Sequence, residues 1–80
     1  MAYEVFIEAG DYLAYCSALE VRPEKWQASV LFERKVDFEK PRVHAMRHNL
    51  PDDFSTRDSA IATATAYAEE RAAHHETGLT

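Results

Sequence analysis

The spacing of apolar residues changes once along this chain, and that change limits the folds open to it. From Trp26 onward apolar side chains recur at every second position, at Ala28, Val30 and Phe32. From Ile61 onward they recur at threes and fours, at Ala64, Ala68 and Ala72. The first period belongs to a strand with one buried face, the second to a helix with one buried stripe. Between them, Phe54-Ser55-Thr56-Arg57-Asp58 reads as a helix start. The pattern predicts a sheet closed on one face by a C-terminal helix.

The first half reads as a meander, with strands over 2–8, 12–22 and 26–36. Gly10-Asp11 suits a two-residue turn with glycine at the position of positive φ. That turn sets Ile7 opposite Ala14, Val5 opposite Cys16 and Tyr3 opposite Ala18. The second turn contains Pro23-Glu24-Lys25; with Arg22 opposite Trp26, Cys16 faces Phe32 and Ala18 faces Val30. A one-residue slip would exchange the two faces. A fourth strand is expected over 42–48, after a turn at Lys40-Pro41, with Val43 and Ala45 as its apolar face. The stretch 49–53 reads as a loop, because Pro51 disfavours helix at Leu50. Ser55 is the expected N-cap with Asp58 completing a capping box, and Gly78 is the expected stop. Arg71, His74 and His75 fall near the negative end of the helix dipole. The fold class is therefore α+β: an antiparallel three- to four-stranded sheet, one C-terminal helix, order β-β-β-β-α, one domain over 1–80.

The sheet face that receives the helix carries small residues, Ala14, Cys16, Ala18 and Ala28, opposite the alanine stripe of the helix. Small against small permits close approach, with Tyr3, Val5, Ile7, Trp26, Val30 and Phe32 filling the margins. The same parity puts Phe6, Leu13, Tyr15, Leu19 and Leu31 on the helix-free face. An open antiparallel sheet ordinarily turns polar residues to solvent, and a cluster of large apolar ones marks an interface. These five residues are the candidate protein interface. The expected partner is another copy of the chain or another protein, a two-fold homodimer being the commonest solution.

The formal charge of −5 is unevenly placed: −4 over 1–21, +2 over 22–57 and −3 over 58–80. A nucleic-acid binder concentrates positive charge. Here only the middle could do so, through Arg22, Lys25, Arg34, Lys35, Arg42 and Arg47, and Glu24, Glu33, Asp37 and Glu39 interrupt it. Nucleic-acid binding by the sheet and its turns is the alternative reading, and a solvated mixed-charge surface the expected one. No apolar run approaches the roughly 18 residues that span a bilayer, so no membrane partner is expected. A lone cysteine and no visible secretory signal make the cytoplasm the expected location.

Residues that could carry chemistry are scattered. His44 and His48 are four apart on an expected strand, about 13 Å along it, and the adjacent His74 and His75 point to different sides of a helix. All four are expected as solvated histidines without a metal, well short of a closed ligand set. Cys16, mid-strand beneath a helix, reads as a packed and inert thiol rather than a nucleophile. Asp52-Asp53 and Glu69-Glu70 are neighbours rather than converging pairs, and two glycines cannot build a phosphate loop. Neither enzymatic activity nor a cofactor is expected.

The runs Gly10-Asp11-Tyr12-Leu13-Ala14, Trp26-Gln27-Ala28-Ser29-Val30, Phe54 through Ile61 and Ala66-Tyr67-Ala68 together resemble short uncharacterised bacterial proteins. Those combine a β-meander, a Trp-led strand, a phenylalanine before the cap and an alanine-rich helix, and they have no assigned activity. The opening Tyr3-x-Val5-x-Ile7-Glu8 and its tight hairpin are similar more loosely to HicB-type antitoxins, which would imply an antitoxin-like regulator. The long third strand and the absence of a glycine-containing turn before the helix depart from that family. Three strands with a C-terminal helix also resemble, at the level of fold, DNA-binding domains of the AP2 and integrase-arm type.

Overall fold

The structure is a computed structural model that describes residues 2–37, 40–41 and 44–79. Four antiparallel strands, β1 (Ala2–Ala9), β2 (Tyr12–Arg22), β3 (Lys25–Arg34) and β4 (Ala45–Phe54), form one open sheet in chain order. A 3-10 turn at Lys35–Asp37 follows β3, and α1 (Arg57–Ala73) completes the α+β fold by covering one face of the sheet.

The first hairpin has the expected register, with Ile7 opposite Ala14 and Tyr3 opposite Ala18. Gly10 takes φ 58°, which a two-residue turn requires. The second hairpin differs from expectation by two residues. Cys16 faces Val30, Ala18 faces Ala28 and Ala14 faces Phe32. A tight turn on Pro23-Glu24 lets pairing continue to Arg22 and Lys25, and Val21 is taken up as a bulge between Glu20 and Arg22. A two-residue offset leaves the pleat in phase, so side chains from Tyr12 to Glu20 and from Trp26 to Arg34 keep their predicted faces, and only beyond the bulge does Arg22 fall out of phase, opposite Lys25.

β4 lies further along the chain than expected and runs through the stretch read as a loop. Its pairing with β3 shifts between Gln27–Asp53 and Ser29–Asn49, so Ala28 alone spans Leu50, Pro51 and Asp52. Pro51 sits in that bulge on an edge strand, the setting in which its missing N–H disrupts least. Ala45 is exposed and even-numbered residues turn inward instead, with Met46 opposite Phe32 and His48 opposite Val30. Arg42 and Val43, expected to open this strand, lie outside the described residues.

Ala60, Ala64, Ala68 and Ala72, each within 3% of complete burial, lay α1 along the sheet. Beneath them lie Ala14, Cys16, Ala18, Ala28, Val30 and Phe32, all buried. Ile61, expected in the stripe, is half-buried beside it, and Ala60 takes its place by strict spacing of four. The N-cap is Thr56 rather than Ser55; its side chain accepts from the Ser59 amide at 3.1 Å. Asp58 in the first turn faces the positive end of the dipole.

The helix stops at His74, not at Gly78. His75 turns left-handed at φ 55°, its N–H donates to Ala72 O, and the Glu76 N–H donates to Arg71 O at 2.8 Å. Those two bonds are a Schellman closure, and an Arg71–Glu76 ion pair at 2.8 Å spans it. The tail then returns over the core, where Thr77 is fully buried and Leu79 packs against the cluster. Gly78 serves close packing in that tail rather than the helix end. At φ 85° it lies so close to Met46 that an added Cβ would stand 3.0 Å from Met46 Cγ.

Candidate interaction surface

Register fixes the helix-free face as rows that cross the four strands. The middle row reads Phe6, Tyr15, Leu31, Arg47, and beside it runs Glu4, Ser17, Ser29, Asn49. Phe6 and Tyr15 meet with ring centroids 5.0 Å apart and tilted by 47°. Phe6 remains 49% exposed and Leu19 48%, with Val21 at the rim exposed to 43%. These are large apolar residues on open strand surface, and no helix or strand among the described residues lies over them.

The five expected interface residues do share this face, but not equally. Leu13 is only 5% exposed, because Glu8 and Glu33 flank it across the strands and Lys35 ties down to Glu8 at 3.4 Å. Phe6, Glu8, Leu13 and Lys35 line one shallow depression there. Leu13 is thus a floor for the surface, while Phe6, Tyr15, Leu31 and Leu19 form its relief. Polar groups on the face are bonded to one another: Ser17 Oγ donates to Glu4 at 3.2 Å, and Arg47 Nη1 donates to Ser29 Oγ at 2.9 Å. Partial dehydration, and then Glu33 accepting from its hydroxyl, hold the Tyr15 phenol above its ordinary value. Where β4 bulges from β3, a hollow of about 430 Å3 opens, lined by Leu19, Gln27, Ser29, Arg47, Asn49 and Leu50.

The basic residues of the middle segment do not converge. Arg22 and Lys25 are exposed at one end of β3 and Arg34 closes the other, about 30 Å away at 3.3 Å per residue. Arg34 donates through Nε to Asp37 Oδ2 at 2.8 Å, and Lys40 Nζ stands 3.4 Å from Oδ1. Those cations hold the shielded Asp37 carboxyl below its ordinary range, the hydrogen bond from Arg34 being the largest cause. Lys35 is paired with Glu8, and Arg47 lies on the outer face. Arg42 is outside the described residues.

One histidine departs from the expected solvated surface. The half-buried His48 ring meets the Phe32 ring edge to face, the two ring centres 5.0 Å apart and the planes at 76°. Its Nε2 lies 2.8 Å from the Thr77 carbonyl, which can only accept; in the neutral ring Nδ1 therefore accepts from the Tyr67 hydroxyl at 2.6 Å. One imidazole so joins β4, α1 and the returning tail. Arg71 stacks over the Tyr67 ring at 5.1 Å. The sequence signal for His48 is the inward parity of position 48, which an apolar face built on Val43 and Ala45 inverts. His44 and His74 are exposed, and His75 approaches the Tyr12 hydroxyl at 3.4 Å. Among the described residues no group of three or more His, Cys, Asp or Glu side chains is placed to hold a metal. Cys16 is fully buried, and burial pushes its thiol up, away from the reactive thiolate. Among the described residues no helix is long and apolar enough to cross a membrane.

Comparison with protein-family models, with curated proteins and with solved structures returns no match for this chain.

Proposed function

We propose that this protein is a small, non-enzymatic interaction module that self-associates through the helix-free face of its sheet. The observation that carries this reading is the apolar row Phe6, Tyr15, Leu31 with Leu19 beside it, Phe6 and Leu19 exposed and Tyr15 and Leu31 half-buried, on a face where an open sheet ordinarily carries polar residues. The dimensions of the molecule support it. Its accessible surface is 5312 Å2, against about 4,900 Å2 for a self-sufficient monomer of this mass. Its radius of gyration is 12.7 Å, against about 11.6 Å for a compact domain of this length. One helix on a four-stranded sheet leaves half of that sheet's area without a second layer.

A cytoplasmic setting, where the single Cys16 stays reduced, and a bacterial origin belong to the same proposal. Nucleic-acid binding has less support, because the basic side chains are spread along the strands and several are already paired with acids.

Sedimentation equilibrium on the wild type and on Leu31→Glu tests the reading. A wild-type dimer at micromolar concentration, converted to monomer by the substitution with its circular dichroism unchanged, is expected. A wild type that stays monomeric at high micromolar concentration overturns it.

A further inference from the structure

We infer that the occupant of the helix-free face is a second copy whose two-fold axis runs along the strands, so that β1 of each copy lies over β4 of the other. This rests on the self-association proposed above and adds its geometry. Area gives the first argument. Four strands about 4.8 Å apart, with about eight residues each at about 3.3 Å, offer roughly 500 Å2 of flat face. A stable interface takes about 800 Å2 of accessible surface from each partner. Only an occupant that covers the entire face comes near that figure. A helix or a peptide would cover one groove, whereas another flat sheet face covers all of it in aligned packing about 10 Å away.

Charge gives the orientation. The β1 side of the face carries Glu4 and Glu8; the β4 side carries Arg47 in the middle row, with Asp53 two rows away at the end of the strand. An axis across the strands would stack β1 on β1, acid on acid, and Arg47 on its own copy. An axis along the strands carries the Arg47 guanidinium over the partner subunit's Phe6, with the partner subunit's Glu4 one row away. Tyr15 then meets the partner subunit's Leu31 at the centre. Each dimer holds this Arg–aromatic–carboxylate contact twice, once at either rim of the apolar row. Glu8 is already paired with Lys35, whereas Glu4 is held by the neutral Ser17 hydroxyl and is the carboxylate that Arg47 completes.

Charge reversal in mixtures tests the geometry. Glu4→Arg and Arg47→Glu are exposed-site changes, and unchanged melting profiles of the separate variants at low concentration establish that both fold. Each variant alone is expected to dimerise more weakly than the wild type by on the order of tenfold or more, from like charges facing across the interface. Mixed in equal amounts, the two are expected to recover association as a heterodimer, read by native mass spectrometry with one partner isotope-labelled. A wild-type dimer that either reversal leaves untouched, or variants weakened alone that fail to pair when mixed, overturns this geometry and leaves self-association standing. A monomeric wild type removes both.

Discussion

At the residue scale, His48 carries more of the architecture than its polarity suggests. From the edge strand, its ring bonds to both the helix and the returning tail. Tyr67→Phe leaves Nδ1 without its donor and is expected to cost about 1–2 kcal/mol in urea unfolding. His48→Ala also strips the donor from the Thr77 carbonyl and is expected to cost about 2–4 kcal/mol. It should also speed proteolysis near Thr77 before global unfolding; equal stability of the two variants and the wild type would show the network to be incidental. Asp37 acts through pH. Its folded-state carboxyl titrates below the ordinary value of 3.8, so its contribution is complete above that value and is lost as pH falls through the lower folded value. Melting temperatures of the wild type and Asp37→Asn are expected to converge in strong acid and to differ at neutral pH, the wild type being higher there. Neither role can be read from the sequence, where His48 shows only a parity that the Val43 and Ala45 face inverts. A lone histidine and a lone aspartate set no periodicity of their own, and their roles depend on partners 19, 29 and 3 positions away.

At the scale of elements, alternation and helical spacing carry most of what can be foreseen, and special backbone positions carry the rest. The faces of β1, β2 and β3 follow from period two, and even a two-residue difference in the β2–β3 register leaves them unchanged. β4 resists because 49–53 reads as a loop around Pro51; a bulge on an edge strand accommodates that proline, and a bulge has no sequence mark of its own. The second hairpin holds another such position. Glu24 adopts φ 62°, a left-handed conformation that costs a non-glycine residue about 1–2 kcal/mol. Glu24→Gly is therefore expected to raise stability by about 0.5–1 kcal/mol, after glycine's larger unfolded-state entropy is set against the relieved strain. Chemical denaturation checks it, and a loss of stability would mean that the Glu24 side chain holds the turn by contacts stronger than the strain.

At the scale of the whole molecule, the two faces of one sheet differ in what they carry. Over β2 and β3 the inner face reaches near-complete burial with small residues, because alanine against alanine lets the helix lie close, while Tyr3 on β1 and Met46 on β4 stay exposed at its margins. The outer face keeps large residues with no described element over them, and the molecule is correspondingly flat, 39 × 25 × 17 Å. The residues of this candidate surface are legible from parity alone, since Phe6, Tyr15, Leu19 and Leu31 all fall out of phase with the core. Their unequal exposure is not, because Leu13 owes its shelter to Lys35, which follows β3 in a 3-10 turn that alternation does not reveal.

The most direct measurement of whether this face is an interface is an isotope-filtered NOE experiment on an equal mixture of labelled and unlabelled wild-type protein. Intermolecular NOEs between the Phe6 and Tyr15 rings of one copy and the Leu31 methyls of another, and none to α1, are predicted. Monomer relaxation times at high micromolar concentration, or intermolecular NOEs confined to α1 or to a strand edge, would contradict the account.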